Sequence, residues 1–90
     1  MTRPSHDAEA GCLYVVSTPI GNLDDISRRA IQVLQEVDWV AAEDTRHSQG
    51  LMQQLGISPR LISCHDHNEQ QRAPDLVARL VDGESGALIS

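Results

Sequence analysis

Phenylalanine and lysine are both absent from these 90 residues, and Tyr14 and Trp39 are the only aromatic side chains. A core built from this chain is therefore aliphatic, and it has no row of aromatic faces on which nucleobases could stack. Without lysine, basic charge rests on seven arginines set against thirteen Asp and Glu, for a formal net charge of −6. Non-specific affinity for nucleic acid comes mostly from neutralised phosphates, so a polyanionic partner would need basic surface supplied elsewhere. No apolar run approaches the roughly 18 residues of a membrane span, and no signal-peptide pattern is present. The expectation is a cytoplasmic protein with no membrane partner.

Cysteine is scarce too, with only Cys12 and Cys64. They fall at the start of the first expected strand and the end of the third, about 17 Å apart along a parallel sheet. A disulfide needs Cα atoms within roughly 7 Å, so both thiols are expected free. Phosphate-binding glycine loops and zinc-finger spacings are missing, and Ser17, Ser48 and Ser63 lack a nucleophile-elbow context.

What remains is 40% apolar and 22% charged, which is ordinary for a globular domain. At this length a chain buries roughly 60–65% of its unfolded surface, enough for one sheet with helices. Residues 1–11 are polar and read as a disordered arm, leaving 12–90 as one domain. Leu13-Tyr14-Val15-Val16 is a continuous apolar run, as suits a strand covered on both faces. It enters a Thr18-Pro19-Ile20-Gly21-Asn22 turn. Pro19 restricts φ there, while Gly21 leaves room for a ligand to approach the backbone.

From Asp24 to Val37 the apolar residues Ile26, Ala30, Val33, Leu34 and Val37 recur at helical spacing, with Asn22 or Asp24 as cap and Arg28 and Arg29 on the solvent side. Asp38 to Ala42 reads as a second buried strand. Asp44 or Thr45 would cap the next helix, which turns Leu51, Met52 and Leu55 inward and stops at Gly56. Arg60 to Cys64 is the third strand. A third helix is expected to begin near Arg72 or Ala73, because Pro74 belongs in a first turn, and to bury Leu76, Val77, Leu80 and Val81. After a turn over Gly83–Gly86, Ala87 to Ser90 opens a fourth strand. The alternation predicts a three-layer αβα fold on a parallel sheet, β-α-β-α-β-α-β.

Polar clusters follow the first three strands at once: Thr18–Asn22, Glu43–His47 and His65–Glu69. Parallel strands would bring all three to one edge of the sheet, where open α/β folds bind ligands. Glu43 or Asp44 would suit a general base, although neighbours on an extended segment point opposite ways and only one can face a pocket. Arg46 would either pair with a carboxylate or clamp a phosphate. His65-Asp66-His67 places two imidazoles at i and i+2, as in some zinc and iron sites, with Glu69 or Asp44 able to complete a set. Ordinary hydrogen bonding is the competing and stronger expectation for these side chains.

Taken together, the segments Leu13–Ile26, Ala41–His47 and His65–Glu69 resemble the amino-terminal domain of bacterial small-subunit ribosomal RNA cytidine 2′-O-methyltransferases, a branch of the tetrapyrrole (corrin/porphyrin) methylase superfamily. The resemblance covers nearly all of Leu13–Ser90. It implies a two-domain homodimeric enzyme that binds S-adenosylmethionine between its lobes and uses no metal. Its amino-terminal lobe would be a parallel sheet of about five strands. The full enzyme would methylate a ribose 2′-hydroxyl of a cytidine near the decoding centre of small-subunit ribosomal RNA.

On the matching positions, Thr18, Pro19, Gly21 and Asn22 would floor the cleft. Glu43, Asp44, Thr45 and Arg46, with His65, His67, Asn68 and Glu69, would face the nucleotide. Glu43, Asp44 and His67 are the candidates for catalysis. The Asp-Ala-Gly-Thr-Pro-type loop expected after Ser90, and the second lobe, are not in this sequence. The chain is thus expected to be the leading piece of a longer enzyme, inactive alone and weak in cofactor binding. Two alternatives stand beside this: a porphyrinoid C-methyltransferase, whose first loop is usually richer in glycine, and a stand-alone metal- or ligand-binding domain built on His65-Asp66-His67.

Overall fold

A computed structural model describes residues 10–17, 26–65 and 67–89. Its elements alternate without interruption: β1 (Leu13–Val16), α1 (Arg28–Glu36), β2 (Trp39–Ala42), α2 (Thr45–Leu55), β3 (Leu61–Ser63), α3 (Glu69–Val81) and β4 (Gly86–Ile89). The four strands form one parallel sheet in the order β1-β4-β2-β3. This is the αβα class expected from the alternation.

The strand order dictates which face each helix covers. Steps from β1 to β2 and from β2 to β3 run in one direction across the sheet, and the step from β3 back to β4 runs in the other. Right-handed crossovers then place α1 and α2 on one face and α3 on the opposite face. Packing agrees with the rule. Val33, Leu34 and Val37, from α1 and its C-terminal cap, and Leu51 and Met52 of α2 close on Val16, Val40 and Ala87. On the other side Leu76 and Leu80 of α3 pack on Trp39, Ala41 and Ile62.

β2 lies in the interior of the sheet, and all four of its residues are buried. Trp39, the one large ring in the core, reaches over β4 and fills the space beside Gly86. A Cβ on Gly86 would fall 2.3 Å from the indole ring, so no side chain fits there. Gly86 pairs with Leu13 and Trp39, so it is part of β4 and not of the turn expected over residues 83–86. The entries of β2 and β4 are bolted together by Asp38, whose Oδ2 accepts from the Ser85 backbone N–H at 2.8 Å and from its hydroxyl at 3.4 Å. The Asp38 N–H donates in return to the Ser85 carbonyl at 2.9 Å.

Three local expectations are corrected. α1 starts at Arg28 behind Ser27, whose Oγ accepts the Ala30 N–H at 3.0 Å. The proposed caps Asn22 and Asp24 lie outside the described residues. α3 starts at Glu69, so Pro74 is five residues inside it and not in its first turn. Val77 and Val81 are not buried but 57% and 80% exposed, because α3 sets only Leu76 and Leu80 against the sheet.

The expected disordered arm falls outside the described residues except for Ala10 and Gly11, which form a turn. Gly11 takes φ +75° and donates its N–H to the Glu84 carbonyl at 3.0 Å. Cys12 and Cys64 are both free thiols. They lie on the two outermost strands of the sheet, three strand spacings of about 4.8 Å apart, as well as at opposite strand ends. Among the described residues no helix is long and apolar enough to cross a membrane.

Candidate functional site

Because every strand runs the same way, all four carboxyl ends meet at one rim. The register makes this concrete: Ala42 stands beside Ser63 on one side and Ile89 on the other, and Ile89 stands beside Val16. Glu43 and Cys64 therefore leave the sheet as neighbours, joined by the Cys64 N–H donating to the Ala42 carbonyl at 2.9 Å. From that point the chain leaves β2 toward the α2 face and leaves β3 toward the α3 face. Adjacent strands whose outgoing connections diverge to opposite faces open a crevice between them, the position where open α/β sheets hold ligands. The clusters Glu43–His47 and His65–Glu69 flank this crevice. Thr18, Pro19, Gly21 and Asn22 lie outside the described residues, as does Asp66.

Each flank is built by a cap. Asp44 Oδ1 accepts the backbone N–H groups of Arg46 at 3.0 Å and His47 at 3.3 Å, satisfying two donors that the first turn of α2 would otherwise leave open. Asp44, one of the candidate bases, thus has a structural task. The carboxylate of Glu43 is exposed and makes no hydrogen bond or ion pair among the described residues, so of the two adjacent acids Glu43 is the one left available. Thr45 is half-buried as the first residue of α2, and with Ser63 it forms one lip of a groove of about 490 Å³ running down between α2 and β3. Gly56, at φ +76°, ends α2, with the Ile57 N–H returned to the Met52 carbonyl at 3.0 Å.

On the other flank Asn68 occupies the cap position of α3 but its side chain does not cap. Its Oδ1 instead accepts the His65 N–H at 2.8 Å, and its Nδ2 donates to the Ser63 carbonyl at 3.3 Å. The His67 N–H donates to Nδ1 of His65 at 3.1 Å, and the two imidazoles meet edge to face with centroids 5.7 Å apart. Nδ1 of His65 is thereby engaged within the protein, which disfavours the reading of these rings as paired ligands. Ordinary hydrogen bonding accounts for His65. Among the described residues no group of three His, Cys, Asp or Glu is arranged to hold a metal ion. Glu69 begins α3, where a negative charge is favoured by the helix dipole.

The arginines are distributed unexpectedly. Arg28 and Arg29 open α1, Arg46 opens α2 and Arg72 lies in the first turn of α3, all at the rim end of their helices. Cations in first turns oppose the helix dipole, at about 0.3–1 kcal/mol each. Arg79, in a last turn, pairs instead with Asp75 at 3.4 Å and Glu84 at 3.7 Å. Arg28, Arg46 and Arg72 make no side-chain ion pair among the described residues, so the pairing expected as one option for Arg46 is not made there. The periodic pattern of the sequence assigned Arg28 and Arg29 to a solvated face, which is correct. That this face adjoins the rim became visible only when helix direction was known. The bridging role of Asn68 was also missed. Its sequence signal is an Asn five residues after a strand end, able to bond back to the backbone.

Residues 12–89 match the family model described as Tetrapyrrole (Corrin/Porphyrin) Methylases. The chain is 57% identical over 86 residues to a protein named Ribosomal RNA small subunit methyltransferase I from Escherichia coli O157:H7, a match covering 96% of this chain and 30% of that relative. Proteins of the same name from Pseudomonas aeruginosa and Micromonospora olivasterospora are 59% and 52% identical over 90% and 99% of this chain, and 29% and 28% of their own lengths. The chain thus spans about 30% of the length of these relatives. With a parallel sheet, a crevice at its carboxyl rim and a match over all but the first residues of its folded part, the chain belongs to the tetrapyrrole (corrin/porphyrin) methylase family.

Proposed function

We propose that this chain is the amino-terminal part of an S-adenosylmethionine-dependent enzyme that methylates the ribose 2′-hydroxyl of a cytidine in small-subunit ribosomal RNA. In this reading the whole enzyme works in the cytoplasm as a homodimer, and the 90 residues alone are inactive. The observation that carries it is the pair of polar clusters flanking the crevice between β2 and β3, in a chain more than half identical to proteins named for methylating that RNA.

S-adenosylmethionine would supply a methyl group on a sulfonium, which the 2′-oxygen attacks in line. Two tasks then fall to the protein: holding the hydroxyl on that line, and taking its proton. The described rim offers carboxylate, hydroxyl, imidazole and guanidinium groups, a donor and acceptor set suited to a ribose and its phosphates. Thr45 and Asn68 border the crevice, Arg46 and Arg72 extend toward a phosphate backbone, and Glu43 or His67 accepts the proton. Most contacts to the cofactor are assigned to polypeptide beyond Ser90, with Thr18, Pro19, Gly21 and Asn22 flooring the cleft.

The test uses the full-length protein with methyl-labelled S-adenosylmethionine and small-subunit RNA lacking the modification. Digestion to nucleosides should release label as 2′-O-methylcytidine. Label on a base, or none at all, would refute the assignment. Glu43→Gln and His67→Ala should each slow transfer without lowering the unfolding midpoint, with the larger loss, about 10²–10⁴-fold, identifying the base.

A further inference from the structure

His65 and His67 sit two residues apart on the same flank of the crevice, yet their hydrogen bonds give them different chemistry. The His67 backbone N–H donates to Nδ1 of His65 at 3.1 Å. A backbone amide can only donate, so Nδ1 must present its lone pair, and the single proton of the neutral ring resides on Nε2. Asn68 builds the turn that brings these atoms together. Its backbone N–H donates to the His65 carbonyl at 3.0 Å. Its side chain ties the same turn to the end of β3, accepting from the His65 N–H and donating to the Ser63 carbonyl. Both halves of the carboxamide are used, and each partner can take only the half it faces. The His67 ring, in contrast, is exposed and makes no hydrogen bond among the described residues.

We propose that His65 acts as a neutral hydrogen-bond donor, through Nε2–H, to an oxygen of the substrate's ribose-phosphate backbone, and that Asn68 is the positioning residue that holds it in that tautomer. The proposal rests on the reading of the chain as part of an RNA 2′-O-methyltransferase. A general base must offer a lone pair to the hydroxyl proton. In His65 one nitrogen is occupied by the His67 amide and the other already carries a proton. The ring orients the nucleotide, and proton removal falls to another group.

Two measurements on the full-length protein decide the matter. Nitrogen-15 NMR of histidine-labelled enzyme, with His65 assigned by its loss in His65→Gln, should show a protonated Nε2 and an unprotonated Nδ1 at neutral pH. Asn68→Ala should convert this to a mixture of tautomers and reduce kcat/KM. Asn68→Asp, which keeps the acceptor for the His65 N–H, should recover part of both. Kinetically, His65→Gln retains a neutral donor and cannot titrate. It should keep kcat within about tenfold and leave the pH–rate profile unchanged, whereas loss of a general base costs about 10²–10⁴-fold. A larger loss, an altered profile, or an Nδ1–H tautomer in the unmodified enzyme would overturn the proposal. Should the full-length protein transfer no methyl group to RNA, the functional reading would fall, while the NMR spectrum would still show whether the tautomer assignment holds.

Discussion

Individual side chains at the rim divide into those that build it and those left over for chemistry, and Asp44 is the sharpest case. Read in the sequence, Glu43 and Asp44 are equivalent acids. In the fold Asp44 starts a helix and Glu43 does not. Asparagine caps as well as aspartate, so Asp44→Asn in the full-length enzyme should preserve both the unfolding midpoint and the methylation rate. Asp44→Ala should cost about 1 kcal/mol of stability through the lost cap. Urea unfolding and initial rates check this together. A large fall in rate for Asp44→Asn at unchanged stability would return Asp44 to the position of base. The same scale explains why the sequence could not separate the two acids: alternation says that neighbours diverge, but not which one meets a helix.

At the scale of elements, the strands and α2 were legible because their signals are local. A continuous apolar run, an Asp before a periodic stretch and a Gly after it each act over a few residues. α3 departs from the expectation because Pro74 is tolerated inside it. Pro74 removes an N–H bond and crowds the carbonyl four residues earlier, which in a helix interior costs about 3 kcal/mol. Here that carbonyl belongs to Gln70, an exposed residue on a helix with no buried side chain, so the helix runs through. Pro74→Ala should therefore raise stability by about 1–3 kcal/mol in equilibrium urea unfolding. A decrease would mean that the proline geometry itself is needed to seat Leu76 and Leu80. α1 was assigned too long for a related reason: the apolar spacing that begins at Ile26 does not say where a cap will form, and Ser27 decided it.

For the whole molecule, the consequence of strand order is an uneven covering. Tyr14 and Val16 of β1 pack toward α1, while Leu13 and Val15, on the α3 side, are 46% and 68% exposed, like Val77 and Val81 of α3 itself. Exposed apolar surface of this kind promotes association. The isolated 90 residues should self-associate with rising concentration in light scattering, and the double variant Val15→Thr, Val81→Lys should suppress this while shifting unfolding by no more than about 0.5 kcal/mol. Association that persists unchanged in the variant would place the sticky surface elsewhere. Local pattern alone determined the alternation of strands and helices, the two free thiols, an aliphatic core and three polar segments following strands, since each depends on residues near in sequence or on composition. Tertiary structure decided that β4 enters between β1 and β2, which sends α3 to the far face, opens a crevice between β2 and β3, and bares the valines of α3. Those outcomes depend on which strands pair, and pairing partners distant in the chain leave no mark in any single stretch of it.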